Sequence, residues 1–314
     1  MEANRPVPSG GSTEHGLSKR LCVSPIHGRG NGGGGRRLGG CPGRDPRAVA
    51  RLELHRRMTK RTILICLSLA ACTSTPSELC DDRLIDLTHP FDENTIYWPT
   101  AKRFELVHAA WGPNDQGLWY ASNDLSASEH GGTHLDAPIH FARGGRDTAS
   151  IPIGELVGPA RVVDVREACE RDRDYRVTPA DIRAHEASFG PIPEGAIVLI
   201  HTGWGRFWPD AKLYLGSDVP GDASDLHFPG LSSGAADLLV ERGVDVVGID
   251  TASLDHGQST HFLAHRVLGA ANVAGLENVA NVGRLPASGA TLIALPMKIA
   301  GGTGGPCRVV ALLP

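Results

Sequence analysis

Aromatic residues make up only 5% of this 314-residue chain, methionine occurs three times and cysteine seven times. The cysteines exclude a disulfide-built scaffold. Cys22, Cys41, Cys66 and Cys72 lie in the first quarter, and only Cys80, Cys169 and Cys307 remain beyond it. That odd, widely spaced set forms neither a disulfide framework nor a zinc finger. Long hydrophobic runs are also missing. The most apolar stretch, 62–71, is broken by Ser68 and is about half of the roughly 20 residues that a membrane-spanning helix needs. Basic residues are scarce from position 79 onward, eighteen against thirty acidic, net −12, with no basic run. An acidic surface of that kind excludes nucleic acid as the expected partner. No internal repeat is present.

The N-terminal quarter has a different character. Residues 1–57 carry eleven Lys/Arg against four Asp/Glu and the run Gly32-Gly-Gly-Gly35-Arg36-Arg37. They lack a sustained apolar period, so they cannot bury enough surface to fold alone. They read as a non-native upstream segment or a disordered one. Then Met58-Thr-Lys60-Arg61 leads into the apolar 62–71 and on to Leu69-Ala70-Ala71-Cys72. Basic, apolar and small-residue regions in that order have the layout of a secretory signal, and the end resembles a lipoprotein lipobox. The expectation is that Met58 starts the protein, 58–72 is a lipoprotein signal peptide, Cys72 is lipidated, 73–78 is a short linker and 79–314 is the catalytic domain. The protein would then be exported and lipid-anchored to the bacterial envelope, on the periplasmic face in a Gram-negative host. The alternative for 62–71 is a buried core strand.

The densest chemistry lies in His130-Gly-Gly-Thr-His134-Leu-Asp136-Ala-Pro-Ile-His140-Phe141. Imidazole nitrogen and carboxylate oxygen are the donors that suit Zn²⁺ and Mn²⁺. The four ligand-type positions are all even, and alternate residues of an extended chain share a face. A helix could also pair His130 with His134, but Gly131-Gly132 and Pro138 oppose it, at about 1 and about 3 kcal/mol each in a helix interior. A short strand running into a loop, with a metal on one face, is the expected structure. Isolated histidines scatter over protein surfaces, and an Asp before Ala-Pro is a common turn residue. Few structural roles, however, place so many such groups in register.

Elsewhere, β-branched runs predict strands over 84–87, 160–165, 196–201, 244–249, 291–295 and 308–313. Thr178-Pro179 predicts a helix to about His185. Ser232 or Ser233 begins a second helix ending at Arg242-Gly243, and a third starts near Ser259 and carries His261 and His265. Strand and helix alternate only partly, so the class is α/β without a purely doubly wound sheet. Residues 210–228 read as a long loop. Gly301-Gly-Thr-Gly-Gly305 lacks the Lys and following helix of a phosphate loop, and reads as a turn beside the site with backbone N–H groups available for substrate.

The motif resembles the H-x-G-T-H-x-D-x-P-x-H-[FY] signature of the metal-dependent cyclase-family hydrolases, which include bacterial kynurenine formamidases (arylformamidases) and isatin hydrolases. The resemblance runs from about Leu84 to Leu313. It takes in Leu84-Ile-Asp-Leu-Thr-His89, Gly248-Ile-Asp-Thr-Ala-Ser-Leu-Asp255, His265, Glu277-Asn278 and Leu295 to Pro306. It implies a swivelling β/β/α domain with mixed sheets and outer helices. It also implies His130, His134 and Asp136 as metal ligands, His265 and Glu277 as partners for a second ion with Asp136 bridging, and His140 as catalytic base and acid. His261 is a competing ligand. One or two divalent ions, Zn²⁺ or Mn²⁺, are expected. The implied reaction is hydrolysis of a C–N amide bond in a small aryl amide, with a metal-activated water as nucleophile; a cyclic amide or imide such as isatin is the alternative. A metal-holding envelope protein without turnover is the alternative of another class, and the intact His140 counts against it. Trp98, Trp119 and Phe141 are candidates to stack on an aryl substrate, or else core or dimer contacts. A homodimer or higher homo-oligomer is expected.

Overall fold

The computed structural model describes residues 81–314. The expectations for 1–57, the signal peptide 58–72, Cys72 and the linker 73–78 lie outside the described residues. In chain order the strands are β1 (Leu84–Asp86), β2 (Glu105–Pro113), β3 (Trp119–Ser126), β4 (His134–Asp136), β5 (Val157–Asp164), β6 (Arg176–Val177), β7 (Ile197–His201), β8 (Gly230–Leu231), β9 (Val246–Ile249), β10 (Ala274–Glu277), β11 (Ser288–Pro296) and β12 (Gly304–Leu312). The α-helices are α1 (Arg166–Arg171), α2 (Pro179–Phe189), α3 (Ala211–Leu215), α4 (Ser233–Glu241) and α5 (Leu263–Ala270).

Strands β12, β11, β5, β7, β9, β10 and β4 pair in that order, and β4 returns to β12, closing a seven-stranded sheet; β1 extends along the far half of β12. The β5–β7–β9–β10 part is parallel and the rest antiparallel. The mixed closed sheet with helices outside agrees with the expected fold class. Closure matters for the site, because it wedges the three-residue β4 between β10 and β12.

The central strands are apolar on both faces, as parallel strands covered by helices must be. In β7, Ile197 and Leu199 join the core enclosed by the sheet, while Val198 and Ile200 pack under the helices with Ile182, Leu239 and Leu268. Each such side chain contributes about 1.5–3 kcal/mol when fully buried. Gly248 of β9 is required by this packing, since a Cβ there would lie 2.5 Å from Leu199 Cδ2.

Helix α2 starts as expected, with Thr178 and Asp181 forming a capping box that satisfies two otherwise unpaired N–H groups. It runs one turn beyond His185. The Ser232 side chain accepts from Ala235 N and caps α4. Two expectations need correction. Residues 210–228 are not simply loop: Asp210 caps α3, and Tyr214, Leu215, Leu226 and Phe228 are buried in a third cluster with Trp204 and Ile96. Helix α5 begins at Leu263 rather than near Ser259, because Phe262 sits in the left-handed region (φ 48°) and breaks the run.

Candidate metal centre

Sheet register explains the convergence of the ligand-type groups. His134 lies directly opposite Glu277 of β10, and Asp136 opposite Gly275 of β10 and Gly304 of β12. Directly opposed residues share a face, so His134, Asp136 and Glu277 point to one side at the carboxyl end of the parallel strands, where ligand sites in α/β sheets lie. Helix α5 delivers His265 to the same point. His130 and His140 arrive differently from expectation. Only His134–Asp136 is strand; His130 comes from a preceding bend, and His140 ends a 3-10 turn that starts at Pro138. His130 fits against β12 because position 304 is glycine: a Cβ there would stand 2.6 Å from His130 Cε1.

Asp136 ties the group together. Its Oδ1 lies 2.7 Å from His130 Nδ1 and 3.2 Å from His134 Nε2, and its Oδ2 lies 3.3 Å from His265 Nε2. Glu277 reaches His265 Nε2 at 3.0 Å and His134 Nε2 at 3.4 Å. Two overlapping sets result, His130–His134–Asp136 and Asp136–His265–Glu277, each with its donor atoms within 4.8 Å of one another.

The outward nitrogen of each imidazole meets an acceptor, which fixes which nitrogen faces the centre. His134 Nδ1 donates to the Gly132 carbonyl at 2.9 Å, leaving Nε2 inward. His265 Nδ1 donates to Asp255 at 2.7 Å, again leaving Nε2 inward. For His130 the order reverses. Thr303 Oγ1 donates to Glu129 at 2.6 Å, so it accepts from His130 Nε2 at 2.8 Å, and Nδ1 faces Asp136. Outer partners of this kind hold metal-binding histidines in one tautomer and orientation. His134 Nε2 is buried and makes no hydrogen bond, an orphan that a cation would satisfy. Nitrogen and carboxylate donors in these proportions suit Zn²⁺ or Mn²⁺, so the residues present fit a divalent ion.

Electrostatics agree. Burial opposes charge on His134, yet Asp136 and Glu277 hold it up at about 9. Burial likewise opposes charge on His265, which Asp136, Asp255 and Glu277 raise well above its ordinary value. Asp136 stays well below the usual carboxylate range despite burial, through the three histidines. In the ion-free chain, protons therefore neutralise the carboxylates. His140 differs: burial pushes it down to about 4, with Asp136 opposing only in part. It stacks on His130 at 3.9 Å between ring centroids and belongs to neither donor set.

A cavity of about 280 Å³ opens over the centre, with Ile96, Tyr97, Trp98, Phe141 and Phe262 as its apolar wall. Of the three aromatic candidates, Trp98 and Phe141 line this cavity, and Trp119 sits on the β2–β3 hairpin, 67% exposed and outside it. His261 precedes α5, is exposed and belongs to neither donor set, whereas His265 does. The Gly301–Gly305 turn borders the centre, but its N–H groups are taken: Gly301 donates to Asp147, and Thr303 and Gly304 donate to Glu129. Sequence reading missed Glu129, Thr303 and Asp255 as supports. Asp255 also accepts from the N–H groups of Ala264 and His265, capping α5 while it orients His265. Its place at the end of the Gly248–Asp255 motif was the available signal.

A family model described as "Putative cyclase" matches residues 85–256. An isatin hydrolase of Roseibium aggregatum is 34% identical over 217 residues, 66% of this chain and 81% of that protein. A kynurenine formamidase of Salinibacter ruber is 31% identical over 232 residues, 72% of this chain and 96% of that protein. Among solved structures, an isatin hydrolase from Labrenzia aggregata bound to benzyl benzoate superposes with a TM-score of 0.67 at 35% identity, covering 74% of this chain and 93% of that one.

Proposed function

The chain belongs to the cyclase family, and from that premise we propose that it is a metal-dependent amidohydrolase that opens the C–N bond of an aryl amide, with an arylformamide such as N-formylkynurenine as one substrate class and a cyclic aryl amide such as isatin as the other. The observation that carries this is the pair of donor sets sharing Asp136 beneath an aromatic-walled cavity. The isatin reading is favoured by the 34% identical relative and by the 35% identical structure. The arylformamide reading rests on the Salinibacter ruber relative.

His130, His134 and Asp136 would hold one ion, and Asp136, His265 and Glu277 a second. A divalent ion there supplies a Lewis acid for the carbonyl oxygen and lowers the pKa of water toward about 7. The chain's own residues do the rest. His140, neutral at pH 7 because burial holds it near 4, takes a proton from water and passes it to the leaving nitrogen. An anilide nitrogen leaves more readily than an alkyl amine, which matches aryl substrates to a single imidazole acid. Trp98, Phe141 and Phe262 border the space that a planar ring would fill and keep bulk water from it.

The test separates binding from turnover. His140→Ala is expected to keep its metal and lose about 10²–10⁴-fold in amide hydrolysis, the usual contribution of general acid–base catalysis, whereas Asp136→Ala loses metal as well. If His140→Ala loses metal as completely as Asp136→Ala, His140 is a ligand and the proton-transfer role falls.

Export with an acyl anchor at Cys72 belongs to the same proposal and is supported by the residue order of 58–72. Among the described residues no helix is long and apolar enough to cross a membrane. Mass spectrometry of the native protein would find acylated Cys72; a mature N-terminus upstream of Met58 would overturn this.

A further inference from the structure

The His134 imidazole takes its direction from the Gly132 carbonyl, which accepts from Nδ1 at 2.9 Å. That carbonyl belongs to a residue with little conformational preference of its own. Gly132 lies in the left-handed region (φ 59°), which glycine enters as readily as the right-handed one. A Cβ there would stand 2.6 Å from Phe91 Cζ, so glycine is required and the looseness comes with it. Whatever points the carbonyl at His134 must come from elsewhere in the fold.

It comes from Asn278. Its Nδ2 donates to the Gly132 oxygen at 2.7 Å. The two lone pairs of that oxygen thus serve one buried amide and one ligand-type imidazole. The Asn278 main chain grips the same segment, its carbonyl accepting from Thr133 Oγ1 at 2.7 Å. Asn278 directly follows Glu277 and has φ 53°, a conformation that asparagine tolerates better than most residues.

The amide is itself held. Its Oδ1 lies 2.9 Å from Tyr214 Oη, which also lies 3.0 Å from the Asp250 carbonyl. Burial, with Asp250 and Glu277 adding, raises the Tyr214 hydroxyl well above its ordinary pKa, so it donates, its proton shared between the two oxygens. A flipped Asn278 amide would set its oxygen against the Gly132 carbonyl, so the network assigns one orientation. Tyr214 is wholly buried on α3. Trp204 Nε1 donates to its carbonyl at 2.7 Å, and Trp208 meets its ring edge-on at 5.3 Å.

We propose that Asn278 and Tyr214 are positioning residues: hydrogen bonds running from Tyr214 through Asn278 to the Gly132 carbonyl aim His134 Nε2 at the metal centre. The inference rests on the reading of His134 as a metal ligand. It ties α3 to a site whose cavity Tyr214 does not line.

Nuclear magnetic resonance of the Zn²⁺-loaded full chain, labelled with ¹⁵N-histidine, tests this. The ring N–H protons of His134 and His265 are each hydrogen-bonded through Nδ1 and are expected as two slowly exchanging signals. Asn278→Gly accepts the left-handed backbone and removes the amide without adding charge. In it the His134 signal is expected to shift and exchange faster, while that of His265, whose proton goes to Asp255, stays. Zn²⁺ affinity read by chelator competition falls about tenfold, the low end for loss of an outer partner. Tyr214→Phe keeps the ring and shifts the same signal in the same direction by less. A general loss of stability would move both histidines alike. An unchanged His134 signal in either folded variant, or a change shared equally by His265, therefore overturns the proposal. Should Asn278→Gly not fold, Tyr214→Phe decides by the same signal. An unaltered chain that binds no Zn²⁺ overturns the metal-centre reading and this inference with it; Zn²⁺ binding with unshifted variants overturns this inference alone.

Discussion

Thr303→Val isolates the argument that His130 presents Nδ1 to the centre. The substitution keeps the side-chain shape and removes one hydroxyl, which now accepts from His130 Nε2 at 2.8 Å and donates to Glu129 at 2.6 Å. Without it the His130 ring keeps only its contact with Asp136 and its stacking on His140, and its tautomer is no longer fixed from the Nε2 side. Glu129 keeps the Thr303 and Gly304 N–H groups at 2.8 and 3.3 Å, so the turn itself persists. His130 is 21% exposed on its side chain, and water can reach its freed N–H in part. The stability loss is therefore at the low end of the range for an unmade hydrogen bond, about 1 kcal/mol. Metal affinity falls further, by about 10–100-fold, the usual effect of removing an outer partner of a ligand histidine. Chelator competition with Zn²⁺ or Mn²⁺ reads the affinity, and urea unfolding of the ion-free chain reads the stability. Thr303→Ser restores both. A folded Thr303→Val chain that binds metal with unchanged affinity would refute the tautomer argument.

Gly304→Ala places a Cβ 2.6 Å from His130 Cε1 and 2.8 Å from the Leu135 carbonyl; since that backbone cannot move aside, overpacking costs about 1–3 kcal/mol in urea unfolding, and metal affinity falls too. Metal binding near pH 7 releases at least one proton, because the carboxylates hold His134 at about 9 and raise His265 well above its ordinary value, while a ligand imidazole must be neutral; affinity therefore rises with pH through about 9, and titration calorimetry in buffers of different ionisation enthalpy measures the released protons. His89 stacks on Trp208 at 4.1 Å with its Nε2 buried and unpartnered, and burial lowers its pKa from 6.5 to about 4. Its folded value is depressed, so its stabilising effect is whole above 6.5 and is lost as pH falls toward 4, by up to about 3 kcal/mol; His89→Phe removes that share of the acid sensitivity between pH 7 and 4.5, and equal slopes for both proteins would contradict it.

The ligand-type residues were legible because they crowd one segment, and the core strands because β-branched residues are enriched in them. Legibility failed where the determinant was distant or lacked a residue signature. Glu129 and Thr303 are 174 residues apart and meet only through β4–β12 pairing. Phe262 adopts a left-handed conformation with neither glycine nor asparagine to announce it, so the sequence pattern extends α5 too far back, across His261. The β2–β3 ribbon, with Trp119 on it, has no clear signature in the sequence because an irregularity between His108 and Ala110 breaks the period-two pattern. The alternation argument for 130–140 reached the right convergence through a partly wrong structure: it holds for His134 and Asp136, while the bend at His130 and the 3-10 turn at His140 close the site.

The most direct test of the account is to strip the protein of metal with a chelator, reload it stepwise with Zn²⁺ or Mn²⁺, and follow hydrolysis of isatin and of N-formylkynurenine against bound metal. The account predicts no turnover in the stripped chain and turnover of at least one substrate that rises in proportion to the ion bound at the Asp136 centre. Hydrolysis that persists without metal, or a fully loaded chain that opens neither substrate, would contradict it.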